Sequence, residues 1–148
     1  EVHRYKVGDI GVTVLSDGVP GSTAPTLEAI RGAFAELTAE VQPGDFVYLH
    51  FSGHGTQAPA LDPSTELDGL DELFLPVDIG PWSDQVGTVE NALGDDEIGA
   101  LIDGLRAKGA DVWAVAEADC LDQQLFIIAR NSAMKRVMAA ARRAAASA

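Results

Sequence analysis

Phe46-Val47-Tyr48-Leu49-His50-Phe51, running straight into Ser52-Gly53-His54-Gly55, decides the fold. The nearly continuous apolar and aromatic run reads as a strand buried on both faces of a parallel sheet, with a loop at its C-terminal end. Upstream, Leu27, Ile30, Phe34, Leu37 and Val41 recur at helical spacing after Thr26, a candidate N-cap, and Pro43-Gly44 stops the helix. Ile10–Leu15 is a short β-branched run ended by Ser16-Asp17-Gly18. Downstream lies a short apolar run, Leu73-Phe74-Leu75, closed by Pro76. Asp95 or Asp96 can then cap a second helix with the stripe Ile98, Leu101, Ile102 and Leu105, ending at Lys108-Gly109. Asp111–Val115 reads as another buried strand. Strand, helix, strand, helix, strand is the rhythm of an α/β fold with a parallel sheet.

The chain has 148 residues, enough for one domain with a substantial core, and its 47% apolar and 22% charged residues exclude wholesale disorder. Acidic residues number 23 against 10 basic, a net charge of −13. That field repels phosphate, so neither nucleic acid nor an anionic membrane is an expected partner. No apolar run approaches the roughly 20 residues that span a bilayer. No signal-peptide pattern opens the chain, so a cytoplasmic location is expected. A single cysteine, Cys120, excludes an internal disulfide framework and thiolate zinc clusters.

Charge is unevenly placed. Residues 1–120 hold 22 acids against 5 bases, whereas 121–148 hold one acid against five bases. Residues 1–120 therefore read as the α/β domain, and 121–148 as a basic Ala/Arg-rich helix, of the same domain or of a non-contiguous segment. From Asp62 to Glu97 there are 11 acids and no base. Either this is a solvated acidic surface, or its carboxylates await a hard cation or a cationic substrate group.

Ligands of open α/β sheets bind beyond the C-terminal ends of the strands. His54 and Cys120 both fall there, each after a predicted strand. If those strands are neighbours, imidazole and thiol converge at one edge of the sheet, as a Cys–His protease requires. The plain alternatives are a turn histidine and a small buried cysteine. A zinc reading of His50 and His54 is poorer, because their spacing of four suits a helix and this segment reads as strand and glycine loop.

Phe51-Ser52-Gly53-His54-Gly55-Thr56-Gln57 closely resembles the histidine loop of the caspase-like cysteine peptidases, above all the metacaspase and bacterial caspase-homologue branch. Gln42-Pro43-Gly44-Asp45, Asp68-Gly69-Leu70-Asp71-Glu72, Leu75-Pro76-Val77-Asp78 and Gly94-Asp95-Asp96-Glu97-Ile98 follow the same order, so the likeness covers roughly 10–115. The resemblance implies the caspase-like (caspase–hemoglobinase) fold, a parallel sheet with helices on both faces. It also implies a large-subunit-like catalytic domain that hydrolyses peptide bonds by a Cys–His dyad. On it His54 is the general acid/base, and the Gly55 N–H helps stabilise the oxyanion.

The family follows its last strand with Asp-x-Cys-His-Ser-Gly, and here the corresponding stretch is Ala116-Glu117-Ala118-Asp119-Cys120-Leu121-Asp122. Cys120 is the candidate nucleophile. Three readings stand open: a divergent active site, an inactive caspase-like pseudo-enzyme acting as a protein-binding module, or a junction of segments not contiguous in the native protein. The family's small-subunit strands are not recognisable, so a separate segment completing the sheet is an expected partner. Members cut after Asp with a basic pocket or after Arg/Lys with an acidic one. The local excess of carboxylates favours a basic residue before the scissile bond, with Asp119 or Glu117 supplying the pocket charge. Several metacaspases are calcium-activated, which makes Asp68, Asp71, Asp95 and Asp96 candidate calcium ligands; an acid at a helix N-cap is the competing explanation for Asp95 and Asp96.

Overall fold

A computed structural model of the chain describes residues 3–7, 9–18, 20–60, 62, 64, 69–85, 87–117 and 125–131, with the backbone alone at 3, 5, 7, 117 and 125–131. The elements in order are β1 (His3–Val7), β2 (Ile10–Ser16), α1 (Leu27–Glu40), β3 (Phe46–Ser52), β4 (Gly55–Pro59) and β5 (Leu70–Phe74). Then come β6 (Trp82–Ser83), β7 (Thr88–Val89), β8 (Leu93–Gly94), α2 (Asp95–Ala107), β9 (Asp111–Glu117) and β10 (Leu125–Asn131).

The principal sheet has the order β1-β2-β10-β3-β9. β3 and β9 are parallel neighbours, Phe46 opposite Asp111 through Ser52 opposite Glu117. β10 runs antiparallel to both β2 and β3, so β2, β3 and β9 point the same way. The sheet is therefore mixed, where the sequence predicted a parallel one. The basic helix expected over 121–148 is also corrected: Leu125–Asn131 is a strand, and 118–124 and 132–148 lie outside the described residues. Leu125-Phe126-Ile127-Ile128 is rich in strand-forming residues, and the composition of the whole tail obscured it. The backbone edges of β2 and β3 also offer a ladder that a surface helix does not.

α1 is built as its sequence indicates. Thr26 Oγ1 accepts the Ala29 N–H at 3.1 Å, and the stripe Leu27, Ile30, Phe34 and Leu37 is buried. A second cap comes from far along the chain: Asp78 Oδ1 accepts the Leu27 N–H at 2.9 Å. The carboxylate thus sits at the positive end of the helix dipole. Replacing Asp78 with alanine removes this cap and leaves the Thr26 cap in place. The expected cost is about 1 kcal/mol, or a melting temperature lower by about 4 °C. Calorimetry checks it, and an unchanged melting temperature would show that the cap contributes nothing.

The stripes of both helices and the Val47, Leu49 and Phe51 side of β3 form one hydrophobic cluster, so α1 and α2 cover the same face of the sheet. Phe51 stacks on Phe34 with centroids 6.4 Å apart and meets Phe74 edge-on at 5.6 Å. Arg31 makes a two-pronged ion pair with Glu97 across the helices, at 2.6 and 2.8 Å. The same hydrogen bond holds the guanidinium pKa above its ordinary value. Arg4 pairs with Glu36, linking β1 to α1. The chain turns from α2 into β9 at Gly109, where φ is +86° and a side-chain Cβ would stand 3.1 Å from Pro43 Cα, so only glycine fits comfortably.

Three expectations need amending. β3 is deeply buried on the helical face, but Tyr48 and His50 on the other face are only half-buried. β9 is not a buried strand: among the described residues it is the sheet edge, and its Trp113 is 49% exposed, edge-on to Tyr48 at 6.2 Å. A position with one strand neighbour has half the cover, which local hydrophobicity cannot report. Finally, the N-cap of α2 is Gly94 with no side-chain cap bond, and Asp95, Asp96 and Glu97 occupy the first turn. Acids there still complement the dipole, without capping. The second helical layer expected on the Tyr48 face is not among the described residues.

Candidate active site

β3 enters the site as a strand buried on its helical face and leaves it as an exposed loop. Val47, Leu49 and Phe51 are anchored in the core, Gly53 is buried, and His54 and Gly55 are exposed. The strong burial of three alternate residues therefore fixes where His54 emerges: at the C-terminal end of a central strand, beside the end of β9. Parallel pairing places Ser52 opposite Glu117, the last residue of β9. The end of β9 thus lies one strand spacing, about 5 Å, from the strand end that leads into the histidine loop.

The loop is held from its other side. Leu75 N–H donates to the His54 carbonyl at 2.9 Å, so His54 and Leu75 are a hydrogen-bonded pair of the antiparallel β4–β5 ladder. The following pair, Gly55 with Phe74, is then non-hydrogen-bonded, and the Gly55 N–H points away from β5. A glycine there leaves no side chain over that N–H. At the end of β3, Ser52 is buried to 1% exposure and its hydroxyl has no hydrogen-bond partner among the described residues.

His50 is a different kind of histidine. It lies within β3 on the Tyr48 face, with Tyr48 Oη 3.3 Å from its Nδ1 and the rings stacked at 6.2 Å. Among the described residues no group of three His, Cys, Asp or Glu side chains is arranged to hold a metal, so the zinc reading of His50 and His54 finds no support.

The remaining candidates are only partly reached. Cys120, Asp119 and Asp68 lie outside the described residues, and of Glu117 only the backbone, at the end of β9, is described. Asp71 sits on β5, while Asp95 and Asp96 open α2. Asp95 Oδ1 is buried without a hydrogen-bond partner among the described residues. β5 pairs with β8 through Leu73–Gly94 and Phe74–Leu93, so Asp71 and the start of α2 share one corner of the small sheet. Several other acids of the 62–97 stretch have structural partners. Glu72 accepts from Gln57 at 3.1 Å, Asp84 from the Trp82 indole at 2.8 Å, and Glu97 from Arg31.

Sequence reasoning missed how Leu75-Pro76-Val77-Asp78 works. This motif clamps the histidine loop to the start of α1: Leu75 binds His54, Val77 N–H donates to the Pro25 carbonyl at 3.2 Å, and Asp78 caps Leu27. The available signal was an acid two residues after a proline (Pro76), shortly after an apolar run, which is common in turns and names no distant partner.

An α/β sheet in which an interior strand delivers an exposed, glycine-flanked histidine beside a parallel neighbour is the caspase-like arrangement that the resemblance implies. The family described as metacaspase, peptidase C14 domain matches residues 3–123. The chain belongs to that family. It is 35% identical over 102 residues to metacaspase-4 of Arabidopsis thaliana, covering 69% of this chain and 22% of that protein. Metacaspase-7 of the same plant is 36% identical over 83 residues, 56% of this chain and 21% of the relative. Metacaspase-1B of Aspergillus fumigatus is 46% identical over 78 residues, 53% of this chain and 19% of the relative. The chain thus spans about a fifth of the length of these curated relatives. Among the described residues no helix is long and apolar enough to cross a membrane.

Proposed function

We propose that this chain carries the histidine half of a cysteine endopeptidase site that cuts after Arg or Lys. The observation that supports it best is the placement of His54, exposed between two glycines where β3 ends beside β9. In this reading the imidazole takes the proton of a cysteine thiol on the segment after β9, with Cys120 as the candidate. The thiolate attacks the scissile carbonyl, and the Gly55 N–H donates to the oxyanion that forms. The C–N bond then breaks as His54 returns the proton to the leaving amine, leaving a thioester on the cysteine. Water, deprotonated by His54, attacks the thioester and releases the acid and the free thiol.

Charge supports a basic residue before the scissile bond. No Lys or Arg occurs between Arg31 and Arg106, and Arg4, Arg31 and Arg106 are engaged with Glu36, Glu97 and Asp103. The pocket carboxylate would come from Asp119 or Glu117. The exposed outer edge of β9 suits a further strand, such as a small-subunit segment completing the sheet. Calcium is proposed as an activator and not as a participant in the chemistry. Its ligands would be Asp68, Asp71, Asp95 and Asp96, as the resemblance implies; the described residues alone do not form such a set, so Asp68, outside them, would have to complete it.

The test is intact mass and peptide mapping after treatment with an arginine-directed, thiol-reactive peptidyl inhibitor, with and without added calcium. The expected result is one adduct, on Cys120, formed faster with calcium. No adduct under either condition would overturn the peptidase reading for this chain and favour a caspase-like binding module. Equal rates would remove calcium alone.

A further inference from the structure

Of the four large apolar side chains most exposed among the described residues, three fall within six positions: Val77 at 38%, Ile79 at 42% and Trp82 at 47%. Isolated exposed apolar residues are ordinary, but a run of them is not. Their backbone is firmly held. Val77 N–H binds the Pro25 carbonyl, Ile79 N–H closes a turn onto the Pro76 carbonyl at 3.3 Å, and Gly80 N–H binds the Glu90 carbonyl at 2.9 Å. Asp78 is tied at both ends, its carboxylate to Leu27 N–H and its carbonyl to Asn91 Nδ2 at 2.9 Å. Pro76 beneath them is fully buried. The segment is a rigid ridge that presents apolar side chains to solvent, which lowers the ordering cost of binding.

Its position is informative. The ridge starts two residues past Leu75, which is bonded to His54, and it docks on Pro25 and Leu27 at the start of α1. α1 follows β2, on the opposite side of β3 from β9. The histidine loop therefore lies between the end of β9 and this ridge. A general acid must stand at the nitrogen it protonates, so the leaving-group half of a peptide begins at the imidazole and runs away from the nucleophile. An extended chain advances about 3.3 Å per residue. Its second and third residues thus reach about 7–10 Å beyond the bond, and Val77 lies within about 7 Å of Leu75 by chain length.

We infer that Val77 and Ile79, with Trp82 extending the ridge, bind apolar side chains at the second and third positions after the scissile bond. This rests on the cysteine-peptidase reading above and adds the substrate's C-terminal side to it. The specificity arises because apolar residues there bury surface against the ridge, whereas charged or strongly polar ones gain no partner from Val77 or Ile79.

The test uses the full chain and three substrates with arginine before the scissile bond. Two are internally quenched peptides that differ only after that bond, one continuing Ser-Leu-Val and the other Ser-Asn-Gln. The third is an arginyl aminomethylcoumarin, which has no residues there. The quantity read is the kcat/KM ratio of the two peptides within each variant, which is independent of the folded fraction. The wild type is expected to favour the apolar peptide by about tenfold, and the V77S/I79S double variant to bring the ratio close to one. Equal use of both peptides by an enzyme that cleaves the coumarin substrate overturns the ridge assignment. So does a preference that survives in the double variant. Failure on all three substrates overturns the peptidase reading itself, and the ridge with it.

Discussion

Replacing His54 with alanine will lower kcat/KM for an arginyl substrate by about a hundred- to ten-thousandfold, while the melting temperature stays near that of the parent. The imidazole is the proposed base for the thiol, the acid for the leaving amine and the base for the hydrolytic water, so its loss affects every step. The protein's stability does not depend on it in the same way. His54 is exposed, and the loop is held by its backbone carbonyl, which alanine keeps. The contrasting variant is His50→Gln. His50 is half-buried on the Tyr48 face of β3 and takes no part in the proposed chemistry. It is expected to lose less than about tenfold in kcat/KM. If His54→Ala retained activity within about tenfold, the histidine would be a turn residue and the proposed mechanism would fail.

The largest effect on stability is expected at Phe51. Its ring is 2% exposed and joins Phe34 of α1 to Phe74 of β5, so truncation to alanine opens a cavity between a helix, the principal sheet and the sheet that contains β5. Such a truncation costs about 3–5 kcal/mol, against a total of about 5–15 kcal/mol for a domain. The expected fall in melting temperature is about 10–20 °C. Equilibrium urea unfolding checks the cost, with the slope unchanged if both proteins unfold to equally exposed states. Phe51 is also three residues before His54, so activity should fall together with the folded fraction. A shift below about 1 kcal/mol would mean that the neighbouring rings close the gap.

The legible and illegible parts of the chain divide by the range of the forces involved. α1 was readable because one element carries its whole signal: Thr26 accepts from Ala29 three residues on, and Leu27, Ile30, Phe34 and Leu37 lie on one stripe. His54 was readable because its strand and its glycines adjoin it. The acidic stretch was readable as a stretch but not as a set of roles. Nothing local distinguishes Asp78, which caps a helix 51 residues away, from Asp84, which accepts from a tryptophan two residues away.

The sequence by itself determined the family, the strand end from which His54 emerges, the two helices and the apolar faces that bury them. These depend on periodicity, capping and contiguous motifs, all of which act over a few residues. Only the tertiary structure decided that Leu125–Asn131 is a strand between β2 and β3, that β9 is an edge and that the helices share a face. It also decided that Leu75–Ile79 buttresses the histidine loop. Strand order and edge position are settled by which backbone ladders close and which faces find cover. That depends on pairings such as Ile128 with Leu49, 79 residues apart in sequence, which no local pattern encodes.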